Sequence, residues 1–183
     1  CIWQGGLSIY GALLGFLATS IVFLRKYGYN LWLWFDLMMP SILFGLIILQ
    51  LANFMMQFSL GTPLGLDIPN DHSLAEYVEY RYRPTGFEAY QYFQPVALYQ
   101  AFAYSIVFMI SVLCLLINRK YKFLAEGTVF LFSVILMAII RFGIGFMYFS
   151  VNKDMLLYPM QWIALTVMIA TVFIYVVKRF QHN

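Results

Sequence analysis

Five stretches of this chain, residues 6–24, 31–56, 95–117, 127–150 and 158–177, are apolar for long enough to cross a bilayer, which takes about 20 mostly apolar residues in a helix. No other feature limits the fold as strongly. In hydrocarbon every backbone N–H and C=O needs an internal partner, so only helices and closed barrels span, and runs of this length without dyad alternation call for helices. The composition agrees, with 63% hydrophobic and 10% charged residues, against about 25% charged in a soluble domain. The expected fold is an all-α integral membrane protein, one membrane domain over residues 1–183 with about five transmembrane helices.

The basic residues set the expected orientation. Arg25 and Lys26 follow the first run, Arg119, Lys120 and Lys122 the third, and Lys178 and Arg179 the fifth. If the spans alternate, these fall on one side, and Arg81, Arg83 and Lys153 on the other. Positive residues mark the cytoplasmic face, so the N-terminus is expected outside and the C-terminus in the cytoplasm. The net charge of +3 then reports topology; nucleic acid is excluded as a partner, because no water-exposed basic domain is present to hold it.

The long connection between the second and third spans, residues 57–94, becomes an external cap. Ser73 followed by Glu76 has the spacing of a capping box and predicts a short helix there. Tyr77, Tyr80, Tyr82, Tyr90 and Tyr92 suit the headgroup level, where aromatic rings with polar tips collect. Cys1 and Cys114 lie toward opposite ends of the bundle, far beyond the roughly 7 Å that a disulfide spans. Cys114 is expected as a small core residue. Because the sequence starts at Cys1 without Met, either the N-terminus is incompletely known or Cys1 is processed and lipid-bearing. No metal or cofactor is expected.

One residue violates the apolar pattern. Arg141 sits in AIIRFGIGFMYF with no acid within ten positions, roughly 14 Å below the outer end of its run at 1.5 Å per residue. By the same count Gln50, Asn53, Tyr10, Tyr99 and Gln100 come within roughly 10 Å of the outer surface. A mostly neutral polar cluster around one permanent cation is expected in the outer leaflet. Asp36 is the only acid in the spans and lies near the inner end of the second, more than about 10 Å away in depth. Two readings of Arg141 remain. It is bonded to helix carbonyls and Gln50, or it meets an anionic ligand, for which a phospholipid phosphate fits depth, charge and bidentate geometry.

Small residues add a constraint. Gly11 and Gly15 form a GxxxG, whose usual meaning in membranes is close helix packing. Gly143 and Gly145 leave room beside Arg141, for a headgroup or another backbone.

At these residues the chain resembles a family. WQGGLSIYGALLG, FDLMMPSILFGLIILQLANFMMQFSLGTPLG, QPVALYQ, IIRFGIGF and DMLLYPM are similar, in order and spacing, to successive motifs of the bacterial phosphatidylglycerol:prolipoprotein diacylglyceryl transferases. The resemblance runs from Trp3 to about Lys178, and the family's further N-terminal helices would lie upstream of Cys1. It implies a multi-pass protein of the bacterial inner membrane that moves diacylglycerol from phosphatidylglycerol to the cysteine thiol of a lipoprotein precursor. It also implies where the polar groups belong. In the first motif the family's His falls on Tyr10. In the second its Arg falls on Gln50, its Glu on Phe58 and its second Asn on Met56, while Asn53 and Gly61 are kept. In the third its His falls on Gln94 and its Glu on Gln100, with Tyr99 kept; in the fourth Arg141 is kept and the Glu falls on Gly145.

These substitutions remove a base and half of a phosphate clamp. The transfer needs both a proton acceptor for the thiol and positive charge for the departing phosphate, and a tyrosine with reference pKa about 10 is a poor base at neutral pH. His72, in the external loop, does not fall on a matching position. The expectation is therefore a diacylglyceryl-transferase-like protein that keeps an outer-leaflet lipid site built from Arg141, Gln50, Asn53, Gly61, Tyr99 and Gln100. It would serve as a catalytically degenerate lipid-binding or structural subunit, with membrane-protein partners. The alternative is an active transferase using Arg141, Tyr10 and Asn53. A lipid transporter or scramblase is a third class, but the chain lacks the paired broken helices that transporters use.

Overall fold

The computed structural model describes residues 9–57, 59–65, 74–84, 86–122, 124–148 and 159–182. Five helices carry the chain: α1 (Ile9–Lys26), α2 (Leu31–Met55), α3 (Val96–Tyr121), α4 (Thr128–Gly145) and α5 (Pro159–His182). Among the described residues, α2, α3, α4 and the Met160–Phe180 part of α5 are long and apolar enough to span a membrane. The helix α2 packs along α3, α4 along α5, and α3 against α4. Met39, Leu43 and Val107 are buried at the centre, with Phe108, Phe130, Val134 and Met137 around them. Outward faces stay apolar, as at Leu37, Phe44, Phe102, Met109 and Phe173. A soluble protein would not expose them together; hydrocarbon tails solvate them.

The end of the bundle that carries the basic residues is fixed by Asp36. Its carboxylate reaches from α2 to the start of α4 and accepts hydrogen bonds from the backbone N–H groups of Gly127, at 2.6 Å, and Phe130, at 2.7 Å. A helix start leaves its first N–H groups without intrahelical partners. Here a neighbouring helix supplies the acceptor, and the negative charge also suits the positive end of the helix dipole. Asp36 is thus used in helix capping and is not a partner for Arg141. Gly127 is required at this junction: its φ is +81°, and a Cβ would stand 2.5 Å from the Trp32 ring and 2.7 Å from Lys178 Nζ. Lys178 closes the cluster from α5, its buried Nζ 4.3 Å from the centre of the Trp32 ring. The Asn30 side chain caps α2 by accepting from Trp32 N, and its amide donates to the Glu126 carboxylate.

The opposite end is closed by a cap that departs from the sequence reading. Glu76 lies in a strand, not in a helix. Three short strands, β1 (Pro63–Gly65), β2 (Glu76–Tyr77) and β3 (Tyr92–Phe93), form an antiparallel sheet in the order β1-β3-β2. Glu76 pairs with Phe93 and Tyr77 with Tyr92. The burial pattern has a period of two: Glu76 and Val78 face inward, while Tyr77 faces outward with its ring 5.9 Å from that of Tyr92. Alternation of this kind, with aromatic and β-branched residues, favours strand pairing over an isolated capping signal. Ser73, the other half of the expected capping box, lies outside the described residues. Arg83 holds the returning loop by donating to the carbonyls of Val78 and Glu88. Tyr77, Tyr80 and Tyr82 are exposed.

Two glycine expectations separate. Among the described residues no atom lies within 4 Å of where a Cβ would stand at Gly11 or Gly15, so the GxxxG packs against none of the described elements. Gly61, by contrast, is pressed against Val96 and Gln94, with a notional Cβ only 2.5 Å from Val96 Cγ2. Cys114 is a half-buried free thiol, and Cys1 lies outside the described residues.

Replacing Asp36 by Ala leaves the Gly127 and Phe130 N–H groups without an acceptor. Loss of a cap of this kind costs about 1 kcal/mol and each hydrogen bond to a charged group about 1.5–3 kcal/mol. Asp36→Ala is expected to lower stability by roughly 2–4 kcal/mol and Asp36→Asn by less, read from unfolding midpoints in mixed micelles.

Candidate functional site

Arg141 lies one turn before the end of α4, because the helix stops at Gly145. The sequence run continues to residue 150, but the chain turns at Phe146 and Met147, and Tyr148 makes a bridge to Gly61. The Cα of Arg141 is therefore about 6 Å from the helix end.

Among the described residues, what surrounds the cation is neutral. Arg141 is half-buried, its Nη2 lies 3.9 Å from the Met160 sulfur, and its guanidinium faces the Tyr104 hydroxyl on α3. Among the described residues it has no ion pair. The hydroxyl of Tyr104 accepts a 2.8 Å hydrogen bond from Gln100 Nε2, and Gln100 Oε1 accepts one of 3.1 Å from the Tyr148 hydroxyl. Gln100 is 0% exposed, and its carboxamide spends one donor and one acceptor in this ladder. A phenol has one donor and two acceptor positions. Tyr104 receives from Gln100 and faces a second donor in Arg141, so its own proton is left for an acceptor beside the guanidinium.

An apolar groove of about 180 Å³ runs from this pair along α4 and α5. Tyr104 and Arg141 stand at its head, and Val134, Met137, Ile163 and Val167 line its length. The run from Arg141 to Val134 is about 10 Å, directed toward the bilayer interior. Gly143 opens onto free space among the described residues, but two positions along the helix it faces away from Arg141. Gly145 is different: the space a side chain would take there is filled by Gln161 of α5, whose Cγ lies 2.6 Å from the notional Cβ.

The expected site residues are only partly brought together. Arg141 and Gln100 join one ladder through Tyr104. Gln50 and Asn53 form a pair on α2, Asn53 Nδ2 donating to Gln50 Oε1 at 3.1 Å. Tyr99 reaches the cap, its hydroxyl 3.5 Å from Leu74 O. Gly61 serves the junction, its N–H donating to Gln94 O at 3.0 Å. Tyr10 begins α1, and its side chain lies outside the described part, as do Phe58 and His72. Tyr104 and Tyr148 were missed. For Tyr104 the signal existed, since it follows Gln100 by one helical turn; Tyr148 has no such signal, because it meets Gln100 only through the fold.

One more group was missed. Glu76, on the inward face of the cap sheet, is 6% exposed, and neither carboxylate oxygen has a hydrogen-bond partner among the described residues. Burial alone pushes its pKa from 4.5 to about 7. Among the described residues no three His, Cys, Asp or Glu side chains converge as a metal site would need.

The chain matches the prolipoprotein diacylglyceryl transferase family over residues 1–177. It is 30% identical over 179 residues to the phosphatidylglycerol–prolipoprotein diacylglyceryl transferase of Geobacillus kaustophilus, covering 97% of this chain and 63% of that protein. With the Lactobacillus acidophilus protein of the same name the identity is 28% over 179 residues, covering 97% and 61%. With that of Bacillus licheniformis it is 34% over 134 residues, covering 73% and 46%. The chain thus spans less than two thirds of the length of these relatives.

Glu76 gives the cap a pH dependence with a definite sign. The folded carboxyl keeps its proton up to about pH 7, whereas the unfolded one loses it near 4.5. Stability is then full below about 4.5 and is lost as pH rises through about 7. Amide exchange in β2 and β3, corrected for the intrinsic rate, is expected to quicken across that interval. Glu76→Gln is expected to flatten the profile.

Proposed function

The chain belongs to the prolipoprotein diacylglyceryl transferase family, and on that footing we propose that it binds an anionic phospholipid of the phosphatidylglycerol type at Arg141, without efficient transfer chemistry of its own. It is a multi-pass protein of the bacterial cytoplasmic membrane. In this reading the cap faces outward and the basic end lies in the cytoplasm, an orientation that the distribution of Lys and Arg supports. One observation carries the lipid reading: an Arg141 without an ion pair among the described residues, beside a Tyr104 proton in search of an acceptor, at the head of an apolar groove. A phosphate takes charge-assisted bonds from the guanidinium and accepts from the phenol. An acyl chain lies along Val134, Met137 and Val167.

Chemistry asks for more than binding. In diacylglyceryl transfer the thiol sulfur bonds to the glycerol carbon, the carbon–oxygen bond to phosphate breaks, the phosphate leaves with the electron pair, and the thiol proton passes to a base. The described site offers one cation for the leaving phosphate, and Gln50 stands where the family resemblance asks for a second. Tyr104, Gln100 and Tyr148 are two phenols and a carboxamide joined by hydrogen bonds, and none of these groups is a base for a thiol at neutral pH. The protein then acts as a lipid-binding subunit beside other membrane proteins.

Active transfer is the second reading. The activity for which the relatives are named favours it, and so does Glu76, a carboxyl on the cap side whose pKa of about 7 suits a proton acceptor.

Incubation of the purified protein with phosphatidylglycerol and a lipobox peptide separates the two. Retention of phosphatidylglycerol without a thioether product supports binding alone; product formed at the rate of a full-length relative overturns it in favour of transfer. Arg141→Gln removes the phosphate contact and is expected to weaken phosphatidylglycerol retention roughly tenfold or more, on the basis of about 1.5–3 kcal/mol for hydrogen bonds to a charged group. Equal retention by wild type and variant in native mass spectrometry rejects the Arg141 site.

A further inference from the structure

A second groove, larger than the one at Arg141, lies elsewhere in the bundle. It is an open groove of about 660 Å³ between α2 and α3 at the basic end. Leu33, Leu37 and Pro40 of α2 form one wall, and Val112, Leu115 and Leu116 of α3 the other. Leu37 and Leu116 are more than half exposed, so no described element covers them. At its mouth stand Arg119 and Lys122.

We infer that this groove is a second lipid site, which takes an anionic phospholipid of the leaflet at the basic end. Three observations select that occupant. The first is depth. From Leu33 to Pro40, the part of α2 that lines the groove, the rise is about 10 Å, within the roughly 15 Å of one leaflet's hydrocarbon. An acyl chain whose headgroup lies at the mouth fills such a groove from end to end. The second is charge. Arg119 and Lys122 are exposed and have no ion pair among the described residues. Glu126, the acid at the rim, already accepts from the Asn30 amide. A basic mouth above an apolar trough between transmembrane helices is the usual form of an anionic headgroup site.

The third observation is that the mouth is held in place. Asn118 Oδ1 accepts from Leu124 N at 2.9 Å, and Asn118 Nδ2 donates to Leu124 O at 3.3 Å. That bracket folds the chain back directly after α3. Lys122 turns in the left-handed region, with φ +49°, and its N–H caps the helix by donating to Asn118 O. Arg119 thus stands in the last turn of α3 and Lys122 at its cap, both on hydrogen-bonded backbone.

This site is independent of the proposal for Arg141, which lies at the other end of the bundle. Native mass spectrometry from nanodiscs of phosphatidylglycerol and phosphatidylcholine tests it on the whole chain. A double variant, Arg119→Gln with Lys122→Gln, changes two exposed side chains. At a factor of about five per basic residue near a membrane surface, its affinity for one bound phosphatidylglycerol is expected to fall about thirtyfold. Leu115→Trp, which narrows the groove, is expected to lose the same lipid with both cations present. Arg141→Gln leaves this lipid bound, so failure at one site is distinguishable from failure at the other. Unchanged phosphatidylglycerol binding in both groove variants, with wild-type unfolding midpoints, overturns the inference. Equal retention of phosphatidylcholine and phosphatidylglycerol in the wild-type groove overturns it too.

Discussion

The carboxylate of Asp36 holds the bundle in register. It spans from α2 to the first turn of α4 and accepts two backbone N–H groups that the bilayer would otherwise leave without partners. A buried acid is tolerated when its hydrogen bonds are made, and a helix N-terminus is a favourable place for it. With α4 tied to α2 at one end, its opposite end has little freedom. Arg141 then arrives beside Tyr104, and the turn after Gly145 delivers Tyr148 to both Gln100 and Gly61.

The site that results is electrostatically one-sided. A ladder of neutral groups connects the cation to the cap, and each rung satisfies its neighbour: Gln100 donates to Tyr104 and accepts from Tyr148. The charge is the part the ladder does not neutralise. The same logic applies to Glu76 in the cap. It is a buried carboxyl without a hydrogen-bond partner among the described residues, and its proton is retained to about pH 7 instead of being lost at 4.5.

The two errors of the sequence reading share a cause. Ser73 and Glu76 carry a helix-start signal, but that signal is worth about 1 kcal/mol. Pairing Glu76 and Tyr77 with β3 buries Phe93 and Val78 completely, which is worth more. The helix α4 ends before the apolar run does, because apolar residues continue past Gly145, through Phe146 and Met147, while the helix does not. Hydropathy measures what a segment tolerates around it; the end of a helix depends on where its last carbonyls find partners.

The sequence alone determined the class of the molecule. Apolar runs of spanning length leave no other architecture, and the unpaired charge of Arg141 could be found by counting. The motif order from Trp3 onward led to the family. What only the tertiary structure decided is which polar groups meet. Gln50 and Asn53 were grouped with Arg141 by depth, yet they pair with each other on α2, while Tyr104, Tyr148 and Gln161 come to the site from neighbouring elements. Depth along the membrane is set by a one-dimensional count of 1.5 Å per residue. Azimuth around the bundle is set by how helices pack, and the packing of apolar faces in lipid is chosen by side-chain fit and by a few interhelical bonds such as that of Asp36.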